Sequence, residues 1–86
     1  MKSLTTDKFW ATYARLPKDV RQAARKQYRL WQKDPYYHSV QFKRIGELWS
    51  ARVTKDYRAL AILECDTYYW FWIGTHADYD RMIRSR

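Results

Sequence analysis

The residues best suited to chemistry are cations and one histidine in the second half of the chain. In chain order they are Lys43, Arg44, Arg52, Arg58, His76 and Arg81. The guanidinium group of arginine is planar and permanently charged, and it fits a phosphate group with two parallel hydrogen bonds. Histidine changes its charge near neutral pH, which suits it to general acid–base catalysis. The set predicts a site for a phosphate-containing ligand, provided that the fold brings its members together.

Segments of alternating apolar and polar residues would place these cations on neighbouring β-strands. A first run ends near Gly46, and Leu48–Thr54 and Tyr57–Glu64 follow as the second and third runs. Because only short turns separate the runs, the strands are predicted to pair antiparallel. Tyr68–Ile73 is nearly continuously apolar, as in a strand that is buried on both faces. Antiparallel pairing allows the cations to converge with His76, which follows this strand.

The first half of the chain has the periodicity of two helices. Apolar residues at helical spacing mark a first helix that ends at Pro17 and a second helix that stops at Pro35. Almost no loop separates the two helices, which is typical of an αα-hairpin. Met1–Thr5 is either a short edge strand or a lead-in. The C-terminal tail has room for one helical turn within residues 77–83.

These elements predict a single domain of the α+β class that covers residues 1–86. The N-terminal αα-hairpin is expected to pack on one face of a curved antiparallel sheet of three to four strands. The opposite face of the sheet is then expected to be free for the cations. Like charges on adjacent strands repel each other, so a folded chain tolerates them best where an anion binds.

For each charged residue the alternative to a binding site is a solvated surface. For Lys43 and Arg44 this alternative is favoured, because cations often protect the edge of a sheet. Arg52 and Arg58 lie inside otherwise apolar strands, which favours a function.

Aromatic residues and a basic helix face complete the set of candidates. Most aromatic side chains are expected in the core, and Trp49, Tyr57 and Tyr79 are the candidates for stacking on nucleic-acid bases. A basic stripe follows the second helix from Lys18 to Lys33. Such a stripe is most often a solvated face, and the alternative is that it docks an acidic partner or ribosomal RNA.

The composition limits the class of protein and of partner. Lys and Arg number 17 against 9 Asp and Glu, and the formal net charge of +8 favours nucleic acid as a partner over an acidic protein or an anionic membrane. The single Cys65 excludes a disulfide within the chain and fits a reducing cytoplasm. One cysteine and two histidines cannot build a closed zinc site, and no cofactor is expected. No signal peptide or membrane span is expected.

The order of two helices followed by strands with a basic face resembles the RelE/ParE superfamily of bacterial toxins. The stretches that carry the resemblance are Phe42–Ile45, Leu48–Val53, Asp56–Leu60 and Trp72–His76. Within them, Trp49-Ser50-x-Arg52 followed by Arg58 is similar to the YoeB branch. That branch also carries a catalytic histidine just beyond its last strand, where His76 lies. The resemblance covers nearly the whole chain.

The resemblance implies the toxin of a type II toxin–antitoxin system, with a cognate antitoxin as its partner and mRNA on the ribosome as its substrate. Arg52 and Arg58 would hold the scissile phosphate, and His76 would protonate the leaving 5′-oxygen. The residues expected to contact RNA are Lys43, Arg44, Trp49, Tyr79 and Arg81. The branch's candidate general base would fall near Val40, so the general base stays unassigned.

Two other functions fit the same resemblance. One is a ParE-like inhibitor that binds DNA gyrase without catalysis, because this fold hosts both activities. The other is an RNA-binding module without toxicity. A histidine directly after the last strand favours the endoribonuclease, because a gyrase inhibitor has no need of it.

Overall fold

The helices and strands follow the predicted order, and the N-terminal segment forms the edge strand that was one of its two predicted alternatives. The computed structural model of the protein describes residues 2–85, and Met1 and Arg86 lie outside the described residues. In chain order the elements are β1 (Lys2–Thr5), α1 (Asp7–Tyr13), α2 (Lys18–Lys33), β2 (Lys43–Ile45), β3 (Leu48–Thr54), β4 (Tyr57–Glu64), β5 (Thr67–Thr75) and α3 (His76–Arg84).

All of these strands form one five-stranded sheet in the order β1-β5-β4-β3-β2. Strands β2 to β5 pair antiparallel, as their short turns require. Strand β1 lies at the edge and pairs parallel with β5, with Ser3 opposite Tyr68. The α+β class and the N-terminal αα-hairpin are confirmed. Of the two alternatives for Met1–Thr5, the edge strand is the one that forms, over Lys2–Thr5, and it brings the sheet to five strands rather than three to four. Its parallel pairing with β5 was not predicted, because the partner strand is too distant in sequence for a local pattern to reveal it.

Helix α1 is fixed to the sheet by two threonine side chains. Thr6 caps the helix by accepting a hydrogen bond from the backbone N–H of Phe9, and its hydroxyl donates to the backbone oxygen of Trp70 on β5. Thr12 accepts a hydrogen bond from the N–H of Ile73, also on β5. These bonds pair polar groups of a helix and of a central strand that would otherwise be unsatisfied.

The main core lies between the helical hairpin and one face of the sheet. At its centre, the side chain of Trp31 on α2 is only 2% exposed. Its ring meets those of Phe42, Tyr68 and Trp70 edge to face at centroid distances of 5.4, 5.5 and 5.3 Å. Aromatic pairs prefer this geometry, which adds about 0.5–1.5 kcal/mol per pair to the burial of their area.

The sequence predicted that the opposite face of the sheet would be free. In the structure this face is covered, because α3 packs on it. The C-terminal tail forms a helix of nine residues rather than one turn. Tyr79 on α3 packs with Leu48 and Leu60 in a second core, which also takes in Trp72 and Ile83. An amphipathic helix must bury its apolar face, and this sheet face is the surface within its reach. Only the part of the face beyond α3 is left for a site.

Gly74 on β5 makes room for a ring of the second core. A methyl group at this position would lie 2.5 Å from a ring carbon of Trp72. We expect Gly74→Ala to lower the free energy of unfolding by about 1–3 kcal/mol, since overpacking forces neighbours out of position. Urea unfolding measures the effect. Adding Trp72→Leu should make the double variant less destabilised than the sum of the single variants, whereas simple additivity would show that the ring is not what the methyl group meets.

Candidate functional site

The two arginines that the sequence placed in apolar strands lie directly opposite each other. Arg52 on β3 and Arg58 on β4 are partners in the antiparallel register. Arg52 follows Leu48 and Arg58 precedes Leu60, each at even spacing along its strand, so both arginines share the sheet face that carries α3. Facing residues of this kind have Cβ atoms about 4.5–5.5 Å apart, and like charges there are destabilising. The pair therefore concentrates positive charge at one point of the sheet.

Hydrogen bonds to backbone oxygens fix the guanidinium group of Arg58. Its Nη1 donates to the carbonyl of Thr54 at 2.6 Å and to that of Tyr57 at 3.0 Å. These carbonyls flank the β3–β4 turn, so the side chain lies along that turn. The bonds engage one nitrogen of a fork that offers five N–H donors. Arg58 is thus oriented while part of its fork is not used by these bonds.

The charge of Arg58 is incompletely compensated by its surroundings. Burial lowers its pKa, and the charge of Arg52 lowers it further, while Tyr79, Asp80 and Asp56 act in the opposite direction. Arginine stays charged at any physiological pH, so the lowered pKa describes a cation in an unfavourable environment. An anion bound between Arg52 and Arg58 would relieve this cost.

His76 joins the arginines at the junction of β5 and α3. Its backbone N–H donates to the carbonyl of Asp56 in the β3–β4 turn at 2.7 Å, close to where Arg58 is anchored. Its side chain is half exposed, and Nδ1 lies 3.1 Å from a carboxylate oxygen of Asp80, one helical turn further on. Asp80 also acts electrostatically on Arg58. The structure therefore brings Arg52, Arg58 and His76 to one corner of the sheet.

Sequence reasoning did not identify Asp80 as part of the site. A carboxylate that binds one ring nitrogen of a histidine sets which nitrogen carries the proton and how the ring is oriented. The signal was present as the i, i+4 spacing of His76 and Asp80, which places both on one face of a helix. It was overlooked because a single helical turn, rather than a helix, was expected there.

The network around Gln27 on α2 was also missed, and it holds the backbone of Arg52. The amide of Gln27 donates to the carbonyl of Arg52 at 2.8 Å and to that of Ser39 at 2.9 Å. The hydroxyl of Ser39 donates back to Gln27 at 3.3 Å, and the N–H of Arg52 donates to the carbonyl of Val40 at 2.7 Å. Both backbone groups of Arg52 are thus tied down where β3 becomes irregular.

We expect Gln27→Met to lower the free energy of unfolding by about 1–3 kcal/mol, because it leaves the carbonyls of Arg52 and Ser39 without their donor. Urea unfolding measures the loss. The matched control is Gln32→Met on an exposed position of the same helix, where a change within about 0.5 kcal/mol is expected. Equal effects of the two substitutions would contradict the role assigned to Gln27.

The remaining basic candidates are distributed around the site rather than gathered in it. Lys43 is exposed and pairs with Ser50, so it shares the sheet face of Arg52. Arg44 alternates to the other face, and its Nε donates to the carbonyl of Gly46 at 2.9 Å. Arg81 is exposed on α3 and forms an ion pair with Asp78. Of the two cations on β2, Lys43 and Arg44, only Lys43 lies on the same face of the sheet as the arginine pair.

The aromatic candidates for base stacking are not placed as the sequence suggested. Tyr79 is 4% exposed within the second core, so its ring is not open to a base, and the prediction that it stacks does not agree with this burial. Trp49 and Tyr57 point to the main core, on the opposite face from Arg52. The ring of Trp49 is stacked on Phe42 at 4.8 Å. Alternation along a strand assigns residues to the two faces of a sheet, but it does not show whether either face is exposed to solvent. Here both faces are covered by helices.

Two further findings concern metals and membranes. Among residues 2–85, no three side chains of the His, Cys, Asp and Glu types are grouped so that they could hold a metal ion. In the same part of the chain, no helix has the length and apolar character needed to cross a membrane.

Comparison with known proteins agrees with the fold. Residues 18–81 match the family described as the ParE-like toxin domain. Among solved structures, the chain is similar to a YoeB/ParE toxin from Agrobacterium tumefaciens, with 16% identity, a TM-score of 0.68, and coverage of 88% of this chain and 99% of that one. No curated protein gives a significant match.

Two more solved structures share the fold. One is the RelB–RelE antitoxin–toxin complex from Methanococcus jannaschii, with 16% identity, a TM-score of 0.71, and coverage of 91% of this chain and 96% of that chain. The other is YafQ from Escherichia coli, with 13% identity, a TM-score of 0.72 and the same two coverages. At such low identities the likeness shows the fold alone, and the chemistry has to be inferred from the residues of the site.

Proposed function

The chain belongs to the ParE-like toxin domain family, within the RelE/ParE superfamily, and we propose that it is the toxin of a toxin–antitoxin pair and cleaves mRNA on the ribosome. The observation that carries this proposal is the meeting of Arg52, Arg58 and His76 at one corner of the sheet. Two cations and an imidazole at one corner provide charge stabilisation and proton transfer to the leaving group, which are two of the contributions that RNA cleavage needs.

In the proposed reaction, the 2′-hydroxyl of the substrate attacks the adjacent phosphorus atom. A new bond from O2′ to phosphorus forms as the O2′–H bond breaks and its proton passes to solvent, the bond from phosphorus to O5′ breaks, and the products are a 2′,3′-cyclic phosphate and a 5′-hydroxyl end. Arg52 and Arg58 stabilise the negative charge that develops on the phosphate oxygens. His76 donates the proton that the leaving 5′-oxygen takes up. Its contact with Asp80 keeps the ring oriented for this transfer.

The basic stripe on α2 supports the ribosome as the place of cleavage. It consists of Lys18, Arg21, Arg25, Arg29 and Lys33. The side chain of Arg21 donates to the carbonyl of Leu16, and that of Arg25 to the hydroxyl of Tyr13. These bonds hold Arg21 and Arg25 in place on the helical hairpin. A row of cations can bind the phosphates of ribosomal RNA without reading its sequence.

The antitoxin partner is proposed to bind a groove between α1, α2 and the sheet. This groove has a volume of about 460 Å³ and a mainly apolar lining. The exposed Leu4 and Trp10 line it on one side, and the exposed Arg25 and Arg29 line it on α2. An antitoxin segment with apolar and acidic residues complements this surface. RelE of M. jannaschii was solved in a complex with its antitoxin RelB.

A second candidate function is binding to DNA gyrase, and one observation favours it. The family that matches residues 18–81 is described as ParE-like, and ParE-like proteins include gyrase inhibitors. Such a protein would act through its surface alone, and His76 would then be dispensable.

Controlled expression in a bacterium separates the two functions. We expect rapid appearance of new mRNA ends and arrest of translation, with normal supercoiling of a reporter plasmid. The new ends should not appear with His76→Ala, and they should persist with the matched control Lys8→Ala, which removes an exposed cation of α1 away from the proposed site. Intact mRNA together with altered supercoiling would instead support gyrase as the target.

A further inference from the structure

A short segment between α2 and β2 exposes three rings that the proposed reaction does not use. These are Tyr36, Tyr37 and His38, and they are called here the aromatic loop. Tyr36 is 68% exposed and Tyr37 is 38% exposed. The rings of Tyr37 and His38 are stacked at a centroid distance of 4.8 Å and an interplanar angle of 27°. A group of large exposed apolar side chains on a small protein is typical of an interaction site.

Hydrogen bonds hold the aromatic loop in a defined conformation. The side chain of Asp34 accepts a hydrogen bond from the N–H of Tyr36 at 3.0 Å. The N–H of Tyr37 donates to the carbonyl of Asp34 at 2.9 Å, and that of Val40 donates to the carbonyl of Tyr37 at 3.0 Å. Two consecutive turns therefore present the rings outward on an ordered backbone, which lowers the entropic cost of binding to them.

The aromatic loop is linked directly to the proposed phosphate site. The N–H of Arg52 donates to the carbonyl of Val40, and Gln27 bonds the carbonyls of both Ser39 and Arg52. His38 precedes Val40 by two residues, which span at most about 7 Å. The aromatic loop therefore lies close to the strand that carries Arg52, within reach of an RNA strand whose phosphate Arg52 holds.

The chemistry of the aromatic loop fits unpaired bases better than a protein partner. Its side chains offer flat π-faces and polar groups, and no aliphatic side chain occurs within residues 36–39. The exposed Lys33 and Lys43 flank it along the chain. The nearby carboxylate of Asp34 is engaged by the backbone of Tyr36. Aromatic rings between cations are the usual arrangement for binding single-stranded nucleic acid.

We propose that the aromatic loop binds an unpaired RNA base that neighbours the phosphate held by Arg52 and Arg58. The inference rests on the proposed function in one respect, because that function places a phosphate between the two arginines. The stacking of a base on the aromatic loop does not itself require cleavage. It assigns to Tyr36, Tyr37 and His38 a part in holding the RNA strand as it leaves the site. Base stacking tolerates any sequence, so this contact adds affinity rather than codon preference.

The test uses a fluorescein-labelled RNA decamer in which every sugar is 2′-O-methylated, so that it cannot be cleaved by attack of the 2′-hydroxyl. Fluorescence anisotropy gives its dissociation constant for the full-length protein. Tyr36→Leu/Tyr37→Leu keeps apolar side chains but removes both π-faces, and we expect it to weaken binding about 5-fold to 100-fold. The matched control, Tyr36→Phe/Tyr37→Phe, keeps the rings and should bind like the wild type.

The dependence on salt gives a second readout. The loss in the leucine variant should be the same at every salt concentration, because stacking releases no counterions. Wild-type affinity in the leucine variant would overturn the inference and point to a protein partner for the aromatic loop. An equal loss in the phenylalanine variant would also overturn it, since the hydroxyl groups rather than the rings would then bind.

The proposed function and this inference can fail separately. Ring-dependent binding of the decamer, without cleavage of mRNA on ribosomes, would contradict the nuclease and support the inference. Cleavage together with ring-independent binding would support the nuclease and overturn the inference.

Discussion

Replacing His76 with glutamine is expected to slow cleavage of ribosome-bound mRNA about 10²–10⁴-fold, the usual contribution of a general acid. Glutamine keeps a polar side chain of similar reach but cannot deliver a proton to the leaving 5′-oxygen. The fold should be preserved, because the ring of His76 is half exposed and its structural hydrogen bond to Asp56 comes from the backbone. Single-turnover cleavage on programmed ribosomes measures the rate.

A substrate in which sulfur replaces the leaving 5′-oxygen distinguishes catalysis from a structural role. A thiolate leaves without taking up a proton, so the glutamine variant should cleave this substrate nearly as fast as the wild type does. Asp80→Asn should give a smaller loss on the ordinary substrate, because Asp80 orients the ring without transferring the proton. A glutamine variant that cleaves at the wild-type rate would remove His76 from the mechanism.

The second large effect is expected at Arg58. Arg58→Ala should reduce cleavage about 10²–10³-fold, the usual effect of losing one donor that stabilises developing negative charge. Arg58→Lys should recover little of this loss, because a single ammonium group does not reproduce the planar fork. Single-turnover rates for both variants test the expectation.

The free energy of unfolding of the Arg58 variants should not fall in parallel with their cleavage rates. Alanine removes the hydrogen bonds to Thr54 and Tyr57 but also relieves the burial of a cation that faces Arg52. These effects oppose each other, so the free energy of unfolding is expected to change by less than about 1 kcal/mol. A large loss of stability that accounts for the inactivity would contradict a direct role of Arg58 in binding the phosphate.

The parts of the fold that the sequence predicted are those with strong local signals. The alternation in residues 48–54 and 57–64 and the short turn between them determine the register, and this register places Arg52 opposite Arg58. The short turn between β4 and β5 leads in the same way to the pairing of Tyr57 with Thr75, which places the next residue, His76, near Arg58. The convergence of these three residues was therefore accessible without a structure.

The parts that were missed depend on contacts between residues far apart in the chain. The parallel pairing of β1 with β5 joins residues more than 60 positions apart, and four residues carry no period that reveals it. The extent of α3 was underestimated because its apolar residues, among them Tyr79 and Ile83, are separated by charged ones. Once α3 is in place, the supposedly free sheet face becomes a second core.

The aromatic residues show the limit of assigning function from residue type. Tyr79 and Trp49 have the chemistry for base stacking, yet one lies in the second core and the other packs on Phe42. The rings that are open to solvent, Tyr36 and Tyr37, follow a proline and precede a polar stretch, a pattern that reads as an ordinary surface loop. Burial decides which aromatic side chains are available, and burial is set by tertiary packing.

The most direct test of the central claim is the chemistry of the cut ends. Purified protein would be added to ribosomes programmed with an mRNA, and to the same mRNA with a single 2′-deoxy nucleotide at the cleavage position. We predict a 2′,3′-cyclic phosphate on the upstream fragment, a 5′-hydroxyl on the downstream fragment, and no cleavage at the deoxy position. Uncut mRNA on the ribosome, or cleavage that continues at the deoxy position, would contradict the account of Arg52, Arg58 and His76 as one site that drives attack by the 2′-hydroxyl.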